Sequence, residues 1–287
     1  MKDNDQDFDI HAYLECQSAR SEAVQSPHES CRDTARSWND ITGNHACIDV
    51  LKTFTTFHKA GYHILIHGHN RSGKTVMIHT ALKAKFCVQR TPDLGPCNHC
   101  PNCIRWDSGY VSRDGGYQNQ EGHEFFYIGI DGSNPLTYQE DRVTFYVDYQ
   151  RPLVLYVDEV ADPEFIKFMP RLIKPMTETP MTIIASGVRL RPRKLPVTGQ
   201  RLAGLSKDFI YRFAAIEKTT SPDPTEFVSW LGRQAVRMGV DADEDALHLI
   251  IKECGSIPGQ ALRPLMKADL MKKRVDRAFV EAFNFEV

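Results

Sequence analysis

The octapeptide Gly68–Thr75, with the sequence GHNRSGKT, constrains the fold of this chain more than any other stretch. It completes the pattern G-x-x-x-x-G-K-[ST] and stands between an apolar run, residues 62–66, and a segment with apolar residues at helical spacing. In a strand–loop–helix context, backbone N–H groups wrap a phosphate chain and the helix dipole favours its charge. The pattern therefore predicts a P-loop in a parallel α/β fold.

The predicted nucleotide-binding residues are those of the loop and the first helical turn: Gly68, His69, Asn70, Arg71, Ser72, Gly73, Lys74, Thr75 and Val76. We expect Lys74 to reach the β- and γ-phosphates of ATP and the Thr75 hydroxyl to ligate Mg²⁺. Arg71 is unusual in such a loop, and the sequence leaves open whether it contacts phosphate or faces solvent.

A second apolar run, residues 153–157, is typical of a central parallel strand and ends in Asp158 and Glu159. Asp158 is placed to hold Mg²⁺ through water, and Glu159 to polarise the water that attacks the γ-phosphate. A strand that ends in an acidic turn by chance is the alternative, which the P-loop upstream disfavours. The pair therefore predicts ATP hydrolysis as well as binding.

Two further polar residues flank predicted strands. Ser186 ends the strand expected beside the P-loop strand, where it could contact the γ-phosphate or the attacking water; the alternative is a plain strand-ending serine. Arg212 precedes the last short strand, where it could reach the ATP of a neighbouring subunit. A solvated surface arginine is the alternative for Arg212, and Arg201 competes for the same role.

Four of the eight cysteines cluster after the P-loop helix, at Cys87, Cys97, Cys100 and Cys103. Thiolates at this spacing can bind one tetrahedral Zn²⁺ in a structural site. An iron–sulfur cluster is an alternative, and His99 is a competing ligand. Clustered cysteines beside a nucleotide-binding loop point to a metal in a reducing compartment and not to disulfides.

The 287-residue chain divides into three stretches by composition. Residues 1–33 are polar and aperiodic, which predicts a disordered or partner-binding N-terminal extension. Residues 34–219 alternate strand-like and helix-like patterns around the cysteine module at 87–103, with a loop expected at 107–122. Residues 220–287 predict a small all-helical domain whose apolar stripes include Val236 and Leu270.

The overall charge and hydropathy narrow the class of protein. A formal net charge of −2 excludes a globally basic nucleic-acid binder but allows a local basic face. No apolar run approaches the roughly 20 residues that a membrane helix needs, and the acidic N-terminus is unlike a secretory signal. We therefore expect a cytoplasmic protein without a membrane partner.

Together these motifs resemble the AAA+ clamp-loader ATPases, above all the tau/gamma subunit of bacterial DNA polymerase III and more distantly replication factor C. The resemblance runs from about residue 36 to 267, and the position of the cysteine module directly after the P-loop helix is its most specific signal. Four shorter segments also look like motifs of this family: residues 37–44 on the adenine side, 130–134, 172–180 and 194–198.

The resemblance implies a three-layer α/β domain with a helical lid. It also implies a ring or other oligomer of like or unlike AAA+ subunits. In this family, Lys74 and Thr75 would form Walker A, Asp158 and Glu159 Walker B, Ser186 sensor 1, and Arg212 the finger that acts in trans. DNA at a primer–template or a single-stranded/duplex junction, and a sliding clamp or helicase, are the implied partners, which makes the expected location nucleoid-associated.

The chain departs from the family in three places. No serine precedes the finger arginine, Pro258 stands where the lid normally carries the sensor-2 arginine, and the collar domain is missing or reduced. Arg263 is a candidate replacement for the lid arginine. A stand-alone helicase loader or a mobile-element or phage DNA-recruitment regulator is therefore the second hypothesis, and a catalytically silent scaffold the third.

Overall fold

The computed structural model describes residues 35–57, 61–108, 113–134, 140–188, 192–193, 201–202 and 205–285. The predicted extension at 1–33 and the family-like segment 194–198 lie outside these ranges. Within them, no helix combines the length and the apolar character that crossing a membrane requires.

The fold is built on a six-stranded sheet in the order β2-β3-β4-β5-β1-β8. Every neighbouring pair is parallel except β2 and β3, which are antiparallel. A small antiparallel hairpin, β6-β7, lies apart from this sheet. The strands are β1 His63–Gly68, β2 Gly115–Gln118, β3 Glu124–Asp131, β4 Leu153–Asp158, β5 Met181–Val188, β6 Pro192–Arg193, β7 Arg201–Leu202 and β8 Phe213–Lys218.

Helices cover both faces of the sheet, as the three-layer prediction requires. Along β1, Ile64 and Ile66 pack into one core while Leu65 packs into the other, because successive strand residues point to opposite faces. The helices of this domain are α1 His45–Thr56, α2 Lys74–Phe86, α3 Pro101–Asp107, α4 Glu140–Asp148, α5 Pro163–Phe168, α6 Pro170–Ile173, α7 Pro175–Glu178 and α8 Lys207–Ile210.

The loop expected at residues 107–122 contains the edge strand β2, so this prediction was wrong in part. Gly115 and Gly116 have little intrinsic strand preference, which hides the strand in the sequence. The strand forms through pairing with β3 and through Tyr117, whose ring stacks on Phe86 of α2 with the ring centroids 4.4 Å apart. Tertiary packing therefore decides the structure of this stretch.

The C-terminal region is all helical and has a separate core around Phe227, Leu231, Ile250 and Leu265. Its helices are α9 Pro224–Met238, α10 Glu244–Glu253, α11 Pro258–Met271 and α12 Arg277–Glu281. Val236 and Leu270, expected in the apolar stripes, are instead 78% and 83% exposed.

Candidate functional site

The predicted P-loop connects β1 directly to α2, at the carboxyl end of the sheet. Gly73 caps α2 with φ of 92°, a left-handed conformation that favours glycine. A side chain at Gly68 would collide with Thr219, so glycine is required there for close packing. The loop therefore has the strand–loop–helix geometry expected of a phosphate-binding site.

Lys74 lies buried across this loop. Its ammonium group donates hydrogen bonds to the carbonyl oxygens of His69 at 2.8 Å and Gly68 at 3.3 Å. Burial lowers the pKa of Lys74, while the carboxylates of Glu159 and Asp158 act in the opposite direction. The lysine is thus held at the loop, within the electrostatic reach of both acidic residues.

Asp158 is the point where three elements meet. One carboxylate oxygen accepts a hydrogen bond from the Thr75 hydroxyl at 3.4 Å, across from α2. The other accepts from the Ser186 hydroxyl on β5 and from the Glu159 backbone N–H at 3.1 Å. Because β4, β5 and β1 are adjacent and parallel, their carboxyl ends bring Asp158, Ser186 and the P-loop together.

Glu159 occupies a strained position beside this cluster. Its φ of 54° is uncommon for a residue with a side chain, and one carboxylate oxygen accepts a hydrogen bond from the Val188 N–H at 3.3 Å. Burial is the main cause that raises the pKa of Glu159, and the negative charge of Asp158 raises it further. A carboxyl with a raised pKa is suited to accept a proton.

Two neighbouring residues belong to the cluster but were not predicted as site residues. Asp131 ends β3 in register with Asp158, and its charge also raises the pKa of Glu159. A Cβ at Gly132 would lie 2.6 Å from the Asp158 carbonyl oxygen, so only glycine allows this approach. The sequence signal was an acidic residue that ends an apolar strand, as Asp158 does.

Asn44 was also missed, although it joins three segments. Its side-chain amide donates to the Ser72 carbonyl in the P-loop at 3.1 Å and accepts from the Thr220 N–H at 2.8 Å. Next to it, the carboxylate of Glu226 on α9 accepts from the Gly43 N–H at 2.7 Å. The segment before α1 therefore connects the P-loop to the helical domain.

Arg212 stands apart from the P-loop of its own chain. It precedes β8, and because β8 runs parallel to β1, it lies at the opposite end of the sheet. Its guanidinium donates to the Thr177 hydroxyl at 2.9 Å and to the Asp208 carbonyl. Arg201, the competing candidate, pairs with Arg193 in the β6-β7 hairpin.

The four predicted cysteines converge after α2. Their sulfur atoms lie within 4.8 Å of one another, with Cys87–Cys100 and Cys97–Cys103 separations of 3.9 Å. A tetrahedral ion with metal–sulfur bonds of about 2.3 Å sets sulfurs about 3.8 Å apart. The cluster therefore fits one ion, whereas an iron–sulfur cluster places several atoms between its thiolates.

The surroundings of the sulfurs fit the same interpretation. Backbone N–H groups donate to Cys87, Cys97 and Cys100 at 3.3–3.4 Å, as expected around thiolates. His99 does not join them, because its ring nitrogens contact the Cys97 carbonyl at 2.8 Å and the Gln89 side chain at 3.0 Å.

The described residues thus form a mostly parallel α/β sheet whose P-loop meets Asp158 and Ser186 at one edge, followed by an all-helical region. No protein-family profile matches the chain, and none of the curated proteins compared with it does.

Among solved structures, the chain is similar to RuvB of Thermotoga maritima, described as a Holliday junction branch migration motor. The TM-score is 0.52 at 17% identity, over 86% of this chain and 70% of that chain. A single-residue variant of the same RuvB gives a TM-score of 0.51 at 17% identity, with the same coverage. Likeness at this level of identity shows a shared fold.

Proposed function

We propose that this protein is a Mg²⁺-dependent ATPase that works as an oligomer on DNA-bound machinery. The observation that carries the proposal is the position of Asp158, which contacts Thr75 and Ser186 while Glu159 and Lys74 lie beside it. This set provides a phosphate-binding cation, oxygen ligands for Mg²⁺ and a base within one site.

Each of these residues has a distinct role in hydrolysis. Lys74 and the P-loop N–H groups hold the phosphates, and Thr75 and Asp158 hold Mg²⁺, which neutralises the charge developing on the phosphates. Glu159 orients the attacking water and accepts its proton. Ser186 contacts the same carboxylate and positions the water or the γ-phosphate.

The proposed oligomer follows from the place of Arg212. This arginine lies at the end of the sheet away from its own P-loop, so it can serve only a different subunit's nucleotide. An arginine supplied in trans stabilises the transition-state charge of phosphoryl transfer. Activity therefore depends on assembly.

The action on DNA rests on two supports. The fold is shared with RuvB, whose description names Holliday junction branch migration. The cysteine cluster directly after the P-loop helix favours a clamp-loader-like role, with Cys87, Cys97, Cys100 and Cys103 binding a structural Zn²⁺. A helicase loader or DNA-recruitment regulator is the second candidate.

The test is steady-state ATPase activity with and without Mg²⁺, alone and with four DNA additions. These are a four-way junction, a linear duplex, primed single strand with a sliding clamp, and single strand with a hexameric helicase. We expect stimulation by primed DNA plus clamp. Stimulation only by the helicase supports the second candidate, and stimulation only by the junction supports a branch-migration motor.

The catalytically silent scaffold is tested with Glu159→Gln, which keeps the size of the side chain but removes the base. We expect the parent to turn over ATP and the variant to bind ATP without turnover. A parent no more active than Glu159→Gln would contradict the ATPase proposal.

A further inference from the structure

One contact joins the P-loop to the lid helix α11 without any side chain. The Gly259 N–H in the first turn of α11 donates to the carbonyl oxygen of Arg71 at 2.9 Å. No side chain caps this helix at Ile257, so the Arg71 carbonyl satisfies one of the N–H groups that every helix leaves free at its start. The P-loop thus provides part of the N-terminal cap of α11.

The contact is close enough to exclude any other residue at Gly259. A Cβ there would lie 2.7 Å from the Arg71 Cβ and 3.0 Å from its carbonyl oxygen. The lid helix therefore rests directly on the P-loop at Arg71, and a movement of this loop changes the support of α11.

Arg71 holds this position in a conformation that suits glycine or asparagine. Its φ is 62°, which is uncommon and unfavourable for a long side chain. Such strain persists where surrounding contacts impose it, and it concentrates at functional sites. Glycine or asparagine would form this loop with less strain, so the arginine side chain itself is expected to have a function.

Where the P-loop meets the start of α11, the positive charge is that of Arg71. The first turn of α11 is Pro258, Gly259 and Gln260, which carries no cation. Arg263, the candidate replacement for a lid arginine, lies over the Phe283 ring at 5.7 Å, within the lid. The Arg71 side chain is exposed, and its guanidinium has no partner among the described residues.

We propose that Arg71 distinguishes ATP from ADP: its guanidinium binds the terminal phosphate of ATP while its main chain supports the lid helix. The proposal rests on the proposed ATPase function. A planar guanidinium forms strong charge-assisted hydrogen bonds to phosphate oxygens. In this chain the P-loop supplies the cation that binds the phosphate, and α11 contributes a backbone N–H. Arg71 therefore connects the two, because its side chain contacts the nucleotide and its carbonyl contacts α11.

The experiment measures the affinities of fluorescent ATP and ADP with Mg²⁺, in a Glu159→Gln background that prevents turnover. Arg71→Gly removes the guanidinium and keeps both the left-handed backbone and the carbonyl that contacts Gly259. We expect its dissociation constant for ATP to rise about tenfold, the loss of one charge-assisted hydrogen bond, with little change for ADP. Arg71→Lys should recover part of the ATP affinity.

The matched control is Gln150→Gly, because Gln150 is another exposed residue with a positive φ, 51°, and lies after α4. Both glycine variants should be as thermally stable as the parent or more so, since each removes backbone strain. Only Arg71→Gly should change the ratio of ATP to ADP affinity.

The contact between the lid and the P-loop is tested with Gly259→Ala. We expect this change to weaken the binding of both ATP and ADP and, in the protein with an intact Glu159, to slow turnover. The double variant with Arg71→Gly relieves the Cβ collision and should regain part of the ADP affinity. An unchanged ATP/ADP ratio in Arg71→Gly overturns the proposal while leaving the ATPase function intact. A parent that binds neither nucleotide overturns the proposed function itself.

Discussion

Asp158 accepts hydrogen bonds from Thr75, Ser186 and the Glu159 backbone, which fix the position of its carboxylate beside the P-loop. Glu159 is next to Asp158 in sequence, and its pKa is raised because burial and the Asp158 charge both favour its protonated form. The two adjacent carboxyl groups thus differ in their contacts, which agrees with the different tasks proposed for them: Mg²⁺ binding for Asp158 and proton acceptance for Glu159.

This difference gives a prediction for Glu159→Gln. Turnover should fall at least about 100-fold, because a general base is lost, while ATP binding is retained. The folded state should become more stable near pH 8, because ionised Glu159 is disfavoured in the fold. This gain should shrink as the pH falls through the raised pKa of Glu159 in the fold, and it should vanish below the ordinary glutamate pKa of 4.5, where both states are protonated. Thermal melts across this pH range would measure it.

A stabilisation of Glu159→Gln that is equal at pH 4 and pH 8 would contradict the assigned cause. Asp148→Asn, which removes an exposed carboxyl at the end of α4, provides a comparison for the loss of one negative charge.

A second prediction at the residue scale concerns Lys85 on α2, whose buried ammonium group lies against the end of α1. Its ammonium group donates to the Phe54 carbonyl at 3.2 Å and lies 4.5 Å from the Phe54 ring centre. Burial, with a smaller contribution from the Arg90 charge, lowers the pKa of Lys85 to about 7. The unfolded chain binds this proton up to a much higher pH than the folded protein does.

The free energy of unfolding should therefore rise with pH between about 7 and 10, by up to about 1.4 kcal/mol per unit from this residue. In Lys85→Met this component should be absent. Urea denaturation of both proteins at pH 7 and 9 measures the difference between their slopes. Parallel pH dependences would show that Lys85 keeps its ordinary pKa in the fold.

At the scale of elements, the cysteine cluster is tied to the P-loop helix. The buried ammonium of Lys83 on α2 bonds to both Asp107 carboxylate oxygens, at 2.7 and 2.8 Å, and to the Asn98 side chain at 2.8 Å. Asn102 in α3 donates to the Phe86 carbonyl at the end of α2, at 2.7 Å. The cluster thus holds the far end of the helix whose start is the P-loop.

From this connection we predict that loss of the proposed zinc destabilises the nucleotide domain. Cys100→Ser should abolish binding of one zinc per chain, lower the melting temperature and weaken ATP binding, because Lys83 loses the partners that the cluster holds in place. Metal content, thermal melts and nucleotide titration measure the three effects. His99→Ala is the control and should keep the metal, since His99 faces Gln89; its loss of zinc would contradict the ligand set.

The sequence predicted those elements whose pattern is local. The strands around Ile64, Val154 and Ile183 are apolar runs, and the P-loop motif places its own helix. It did not predict β2, because Gly115 and Gly116 form a strand only through pairing with β3. Asn44 and Gly132 also escaped it, since their roles depend on contacts distant in sequence: 176 residues separate Asn44 from Thr220.

Exposure was predicted less well than the elements themselves. The helical period includes Leu270 in the stripe of α11, yet Leu270 is exposed, while Ala261, Leu265 and Ala268 of the same helix are buried in the core of the helical region. Periodicity reports the direction of a side chain, while burial also requires a partner on that side.

At the scale of the whole molecule, the P-loop and Arg212 lie at opposite ends of parallel strands, so one chain cannot use both on one nucleotide. The prediction is that Arg212→Ala lowers turnover at least about 100-fold with ATP binding retained. Arg151→Ala is the matched control, because Arg151 is an exposed arginine that precedes β4 at the same end of the sheet. It should be close to the parent in activity.

Mixing separates a role in trans from a local structural one. Arg212→Ala keeps an intact Glu159, and Glu159→Gln keeps an intact Arg212. In a mixed assembly, some Arg212→Ala subunits face a neighbour that supplies the arginine, so the mixture should be more active than either variant alone. If Arg212 only stabilises the fold through its hydrogen bonds to Thr177 and Asp208, Arg212→Ala should lower the melting temperature. Mixing the two variants should then recover no activity, and this result would exclude a site shared between subunits.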